Sequence, residues 1–336
     1  MQSNAFQDSR TVVIIHSDIL ENAGPDEQDT LATALYVKNA LDQAGFKGLC
    51  LPYRSKELQK RLDDIDPYCI FNMVESIEGS GTDIWRAADN FSDTGYAFTG
   101  NSPEAIRVTT DKLETKYRLI NLGLPTPFYL NEEDIATVQK LDRRYIVKAL
   151  DDDASLGLFA DSITGDAEVL RNIVADRKKR YKGRWFAEEF IDGRECHVSM
   201  MQTENEVVIF PVSELDFSLF AVEMPHISCY RAKWEEESAE FKSIERKFVD
   251  PEYELDLVHE LKHIAGQCWN GLGLKGWARI DFRIGPDRMP TILEINTNPS
   301  LWHDASFPVT AARAGYSYVE MIRTLVESAV NMHVNR

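Results

Sequence analysis

The sequence predicts a mixed α/β protein of two or three subdomains, and three observations carry that prediction. At 336 residues with 43% hydrophobic composition, the chain can bury a sizeable core. Its first hundred residues alternate short β-rich runs with an apolar-periodic stretch, as a small open α/β domain does. Near the C-terminus two apolar runs flank the turn-rich Gly285-Pro-Asp-Arg-Met-Pro290, the signature of an antiparallel hairpin.

The elements follow in order. Thr11–Ile15 is β-rich, Leu31–Leu41 is apolar-periodic and ends at Ala44-Gly45, and Gly48–Leu51 and Tyr68–Phe71 complete a β-α-β-type opening. Gly95–Gly100 reads as another short strand. Ser102-Pro103 opens a helix expected to reach Leu122, where Gly123-Leu-Pro125-Thr-Pro127 stops it, because proline cannot continue a helix. Tyr145–Ala149 and Trp185–Ile191 are strands around a helix over Asp166–Arg180. Asp250–Gly271 reads as an amphipathic helix and Tyr318–Met332 as the closing one. Asp216–Phe241, of weak periodicity and mixed charge, is expected to be a mobile loop over a site.

Composition narrows the function. A formal net charge of −18 argues against a nucleic-acid surface, whose affinity comes from Lys and Arg. No apolar run approaches the roughly twenty residues that span a bilayer. The N-terminus lacks a basic segment followed by an apolar one, so a cytoplasmic location is expected. Cys50, Cys69, Cys196, Cys229 and Cys268 are widely spaced and read as reduced, mostly buried thiols.

The hairpin carries the chemistry. Residues i and i+2 of a strand share a face, so Arg279 points with Asp281 and Glu294 with Asn296. Pairing the two strands gathers two carboxylates, an amide and a guanidinium on one patch. Such oxygens suit hard Mg²⁺ that also holds nucleotide phosphates. Alternating polar residues are usually only a hairpin's solvated face; here the pattern runs on into the irregular Asn296-Thr-Asn298-Pro-Ser300, which favours a phosphoryl-transfer site.

Two other motif matches fail. His259-Glu260-Leu-Lys-His263 fits HExxH, but Val258, Leu261, Ala265 and Cys268 form that helix's core stripe, and Trp269 stands where the longer motif needs a third histidine. Gly271-Leu-Gly273-Leu-Lys-Gly276 fits GxGxxG but follows a helix and opens a strand, the reverse of a dinucleotide fingerprint.

Upstream of the hairpin come Asp111-Lys112, then Lys148 before the polar loop Asp151-Asp-Asp153-Ala-Ser155-Leu-Gly157, then Glu188-Glu189-Phe-Ile191 and Gly193-Arg-Glu195. This order, with Phe98–Asn101, Tyr230-Arg-Ala-Lys233-Trp234 and Ala311–Ser317, resembles the D-alanine–D-alanine ligase family of ATP-grasp ligases. The resemblance implies an ATP-grasp fold behind a Rossmann-like N-terminal domain, with residues 1–101, 102–189 and 190–336 as the N-terminal, central and C-terminal units. It implies ATP, held by Lys112 and Lys148 with Lys233 from the mobile loop. Glu188, Glu189 and Ile191 would line the adenine cleft, and Glu195 would meet the ribose. Two Mg²⁺ ions, replaceable by Mn²⁺, would sit on Asp281, Glu294 and Asn296. Arg279, Lys233 and Ser155 would act in catalysis. The implied partners are a small carboxylate and an amine, amino acids foremost, in a homodimer.

Several positions depart from the family. Three acids stand in the loop that should cover phosphates, Ser300 replaces a glycine, and Ala305 replaces the serine expected at the acceptor's carboxylate, with Ser306 one step off register. The family's His-Gly after the third strand is replaced around Glu75. Glu75, Asp153, Tyr230, Asn298, Ser300, Asp304 and Ser306 are therefore the expected substrate contacts, and their acids favour an amine-bearing molecule. The alternative is a degenerate ATP-grasp protein that binds nucleotide for regulation.

Overall fold

The computed structural model describes residues 10–19, 25–150, 155–181, 183–221 and 223–335. In the N-terminal part, β1 (Thr11–His16), β2 (Lys47–Pro52) and β3 (Cys69–Met73) form a parallel sheet in the order β2-β1-β3. Helix α1 (Pro25–Gln43) makes the first crossover, and α2 (Leu58–Ile65) and α3 (Trp85–Thr94) flank the sheet. Strands β1 and β3 are buried almost throughout because both faces are covered, as parallel sheets require. Gly95–Gly100 supplies only an isolated parallel bridge, Phe98 with Ile70, instead of the strand expected there.

The next segment opens with two helices, α4 (Pro103–Thr110) and α5 (Lys112–Asn121), where one was expected. Asp111 breaks the run. Its carboxylate accepts from Leu113 N and Glu114 N at 3.0 Å each, so it caps α5 from a non-helical backbone. Strands β4 (Tyr129–Leu130), β5 (Tyr145–Ala149), β6 (Ile163–Thr164) and β7 (Trp185–Glu189) form an antiparallel sheet ordered β4-β7-β5-β6, packed on α6 (Glu132–Thr137) and α7 (Ala167–Tyr181).

The third sheet holds β8 (Arg194–Gln202), β9 (Val207–Ile209), β10 (Ser213–Asp216), β11 (Glu245–Phe248), β12 (Trp277–Ile284) and β13 (Pro290–Asn296). Its order is β11-β10-β8-β12-β13, with β9 paired to β8. The segment expected to be a loop contains two short helices, α8 (Tyr230–Trp234) and α9 (Ala239–Lys242). Helix α10 (Leu255–Gly271) covers the far face with Leu257, Val258, Leu261, Ile264, Ala265 and Cys268. His259 and His263 are exposed on its other side, and among the described residues no three His, Cys, Asp or Glu side chains converge on a metal site. Helix α11 (Ser306–Arg313) and the Ser317-capped α12 (Tyr318–Val334) close the chain, and α12 packs back on α1 and β3.

Asn101 fastens the N-terminal part to the third sheet. Its Nδ2 donates to the carbonyls of Trp277 and Thr297 at 2.8 Å each, and its Oδ1 accepts from Lys275 N at 2.7 Å. The backbones of Gly100 and Gly276 meet beside it. A Cβ on Gly276 would lie 2.8 Å from Gly100 Cα, and its φ of +63° also favours glycine. The C-terminal end of the hairpin is thus held against the open ends of β1 and β3.

The five cysteines form no disulfide, and all but Cys50 are buried. No described helix is long and apolar enough to cross a membrane.

Candidate active site

A cleft lies between the second and third sheets. Lys112, Lys148, Lys233, Arg279, Asp281 and Glu294 line it, together with Glu188, Glu195 and the apolar Ile146, Leu158, Phe190, Ile191, Ile227 and Leu293. The floor is the hairpin, where Arg279 pairs with Asn296 and Asp281 with Glu294. A bulge after Asp281 adds one residue to β13, so the neighbours Leu293 and Glu294 both reach the cleft.

Arg279 and Asp281 do share a face, and they form a forked pair. Arg279 Nε and Nη2 donate to the two Asp281 oxygens at 2.7 Å each, and Asn296 Nδ2 donates to Oδ2 at 3.1 Å. Burial would raise the Asp281 pKa, but Arg279 first, then His197 and Lys233, hold it down at about 2. The acid is therefore ionised at any physiological pH. A carboxylate has about four lone-pair positions, and these three donors leave room for a cation. Turning the Asn296 amide over would present its oxygen to that cation. Asp281, Glu294 and Asn296 thus fit Mg²⁺ as a donor set of oxygens.

The opposite wall carries an arrangement that sequence reading missed. Glu188 is buried and bridges two lysines, with Oε1 2.5 Å from Lys148 Nζ and Oε2 2.7 Å from Lys116 Nζ. Burial would push Glu188 up, yet the two ammonium groups bring it to about 2. Lys116 is itself fully buried, and desolvation lowers its pKa against the pull of Glu188. Its Nζ also donates to Thr126 Oγ1 at 3.0 Å, and Thr126 Oγ1 donates to the Ile292 carbonyl at 3.1 Å. One polar chain therefore runs from Lys148 to the hairpin. Glu188 reaches the cleft, and its carboxylate is the counter-charge to the two lysines. The signal for Lys116 was present, since residues four apart on a helix are neighbours and Lys112 precedes it by four.

The other expected residues are distributed as follows. Glu189 faces outward to Arg143 at 2.8 Å while also bordering the cleft. Glu195 is held by His197 Nε2 at 3.4 Å and lies 3.6 Å from Arg283. Burial would raise its pKa, but His197 and Arg283 lower it. Ser155, at φ +61°, donates from Oγ to the Ser228 carbonyl at 3.1 Å, and Tyr230 N donates to the Leu158 carbonyl at 3.2 Å. The two loops above the cleft are thus joined, and Lys233 on α8 lines it. Glu75 is exposed past the end of β3 and accepts from Thr30 Oγ1 at 2.8 Å, while Asn298 Nδ2 lies 3.4 Å from the Val74 carbonyl. Ser300 Oγ accepts from Trp302 N at 3.2 Å, and Asp304 is exposed nearby. Ser306 is not brought to the cleft: it is buried at the start of α11, 3.2 Å from Ser213 Oγ. Asp153 lies outside the described residues.

Comparison with known proteins agrees with this geometry. The family model described as "D-ala D-ala ligase C-terminus" matches residues 130–327. An "Uncharacterized protein y4sG" of Sinorhizobium fredii is 28% identical, covering 77% of this chain and 74% of its own length. The D-alanine–D-alanine ligase of Moorella thermoacetica is 23% identical, over 82% of this chain and 86% of its own. In three dimensions the chain is similar to the D-alanine–D-alanine ligase of Bacillus anthracis in complex with ATP. That likeness has a TM-score of 0.74 at 17% identity and covers 97% and 99% of the two chains, which fixes the ATP-grasp fold. With well over half its length matched, the chain belongs to the D-alanine–D-alanine ligase C-terminal-domain family of ATP-dependent carbon–nitrogen ligases.

Proposed function

We propose that the protein joins a small carboxylate, foremost an amino acid, to an amine at the expense of ATP through an acyl-phosphate intermediate. One observation carries this reading: the Arg279–Asp281–Glu294 floor and the lysines 112, 148 and 233 face each other across a single cleft with apolar walls. The apolar side chains suit a nucleobase, and the lysines suit its phosphates. The division near residues 101 and 189 belongs to the same reading, supported by a separate sheet in each segment, as does a homodimer.

A carboxylate is a poor acyl donor at neutral pH, so it must first be activated. Its oxygen attacks the γ-phosphorus, the bond to the β-bridging oxygen breaks, and ADP leaves. Lys148, fixed by Glu188, and Lys112 hold the phosphates in line. An uncharged amine then adds to the carbonyl carbon of the mixed anhydride. The oxyanion of that tetrahedral state falls to Arg279, whose fork is oriented by Asp281. Collapse expels phosphate, and the amine's extra proton leaves with phosphate or water. Asp281, Glu294 and Asn296 would hold Mg²⁺ or Mn²⁺, which neutralises phosphate charge when bound.

The test is a phosphate-release screen over pairs of D- and L-amino acids and small amines with Mg·ATP. Amine-dependent release of ADP and phosphate is expected for at least one pair. Nucleotide binding without amine-dependent turnover over the whole panel would favour the regulatory alternative.

A further inference from the structure

A second buried guanidinium borders the cleft on the face that bears Arg279 and Asp281. Arg283 follows Asp281 by two residues on β12, is 3% exposed, and pairs in register with Glu195 of β8. Its hydrogen bonds go to the backbone of two different segments. Nη1 donates to the Gly193 carbonyl at 3.1 Å, and Nη2 donates to the His226 carbonyl. A Cβ on Gly193 would fall 2.0 Å from the Ile284 carbonyl oxygen, so only glycine lets that turn close on β12. The guanidinium also lies over the Phe190 ring, 5.9 Å from its centroid.

Glu195 supplies the counter-charge at 3.6 Å from Nη1, an ion pair too long to be a hydrogen bond. On its other oxygen stands His197 Nε2 at 3.4 Å. The carboxylate is therefore held from both sides while keeping lone pairs for the hydroxyls of a ligand. The His226 end leads into the roof. Its ring stacks on Phe217, with centroids 5.5 Å apart and planes 4° from parallel. Ile227 and Cys229 then enter the cluster with Phe190 and Leu158, and the Ser228 carbonyl accepts from Ser155 Oγ. Helix α8 follows with Lys233, which lines the cleft. A buried charge is costly, and a well-packed apolar side chain would serve folding at least as well. What an apolar residue cannot do is join a carboxylate to two backbone segments at once.

We propose that Arg283 is a positioning residue that couples recognition of the nucleotide's sugar hydroxyls at Glu195 to the placement of the roof at His226. The proposal rests on the nucleotide reading of the cleft, in which the family resemblance assigns Glu195 to the ribose. A hydroxyl bound by Glu195 favours the carboxylate position that Arg283 holds, and the same guanidinium fixes the roof. By reciprocity, a placed roof strengthens the grip on the sugar.

The experiment measures calorimetric binding of ATP and 2′,3′-dideoxy-ATP with Mg²⁺, in wild type, R283M, R283K, E195Q and R283M/E195Q. Tryptic cleavage after Arg231, read by mass spectrometry with saturating ATP, reports the roof. Wild type is expected to prefer ATP by roughly tenfold, the size of a hydrogen bond to a charged group. In R283M that preference should fall to within about twofold, and cleavage after Arg231 should speed up. R283K should fall between, since it keeps the charge and loses the fork. E195Q should lose the preference too, and the double variant should lose no more than either single one. The double variant should also regain melting temperature lost in R283M, because no carboxylate is then stranded. A merely structural arginine would lower the melting temperature and leave the nucleotide preference intact, which overturns the proposal. So does a preference lost with cleavage unchanged, or a wild type that binds the two nucleotides alike. Failure to bind either nucleotide sinks the nucleotide reading along with it, whereas amine-dependent phosphate release tests the ligase reading separately.

Discussion

The two ends of the site are built differently. At the floor and the wall facing it, two carboxylates are buried and answered: Glu188 lies between Lys116 and Lys148, and Asp281 sits in the fork of Arg279. At the other end Glu75, Asp304 and Arg246 are exposed; Glu75 accepts from Thr30, and Arg246 donates to the Asp304 carbonyl. Buried ion pairs are intolerant, because removing one partner strands the other in a poor solvent. Exposed groups can change identity at a cost of tenths of a kcal/mol, as surface substitutions do. On the proposed function, phosphate chemistry would sit where the fold resists change, and substrate choice where it does not. The resemblance read from the sequence divides in the same way, with the lysines and hairpin acids matched and the departures around Glu75, Ser300 and Ala305.

The sharpest way to break this contrast is at the hairpin. Glu294→Gln keeps size and hydrogen bonding but removes a charge from the floor. Turnover should fall by roughly a thousandfold, the scale of losing one preorganised charge-stabilising group. Circular dichroism and melting temperature should remain near those of wild type, because Glu294 borders the cleft and is not fully buried. Near-normal phosphate release would remove the cation from the hairpin.

A smaller effect is expected on the opposite wall, and it concerns stability. Lys116→Met leaves Glu188 half-compensated and should cost about 3 kcal/mol in urea unfolding. Adding Glu188→Gln should recover much of that loss, since the stranded charge is then gone. The same carboxylate predicts a pH dependence. Its folded pKa of about 2 lies below its ordinary 4.5, so its contribution is complete above pH 4.5 and is lost as pH falls toward 2. Asp281 titrates in the same window. Glu188→Gln alone should therefore make the acid limb of the stability profile shallower without flattening it. An unchanged limb would mean that the pair adds nothing to folding.

These two walls were not equally legible in the sequence. The hairpin could be read because its polar residues alternate at the strand period and its acids are metal-type oxygens. Lys112 and Lys148 could be placed only through their order along the chain and the family resemblance, because either alone reads as a solvated charge. The helix break at Asp111 was missed although Asp-Lys-Leu-Glu is a capping pattern, since the apolar spacing on either side reads as one continuous helix. Lys116 was missed because a lysine on a helix is by default solvated, and only the tertiary position of Glu188 buries it. Arg283 was invisible for a related reason. Its meeting with Glu195 and the His226 carbonyl depends on the β12–β8 register and on the roof, which join segments far apart in sequence. Ser306 was misplaced because one residue of register decides whether a helix start faces the cleft or the core.

The mildest effect belongs to the roof. Ser155 holds a left-handed backbone at φ +61°, which costs a non-glycine residue conformational energy, and its Oγ is joined to the Ser228 carbonyl at 3.1 Å. Ile146, Leu158, Phe190, Ile227 and Cys229 pack as a small cluster beneath that bond. Ser155→Ala removes the hydrogen bond, worth about 1 kcal/mol, and leaves the apolar cluster to hold the loops together. The KM for ATP should then rise about fivefold, the equivalent of that energy, while kcat changes less. Ser155→Gly loses the same bond but relieves the backbone, so its melting temperature should exceed that of Ser155→Ala. If both variants instead lose kcat as severely as Glu294→Gln, then the serine belongs with the reacting groups, and the line between a fixed floor and an adjustable roof must be redrawn to include it.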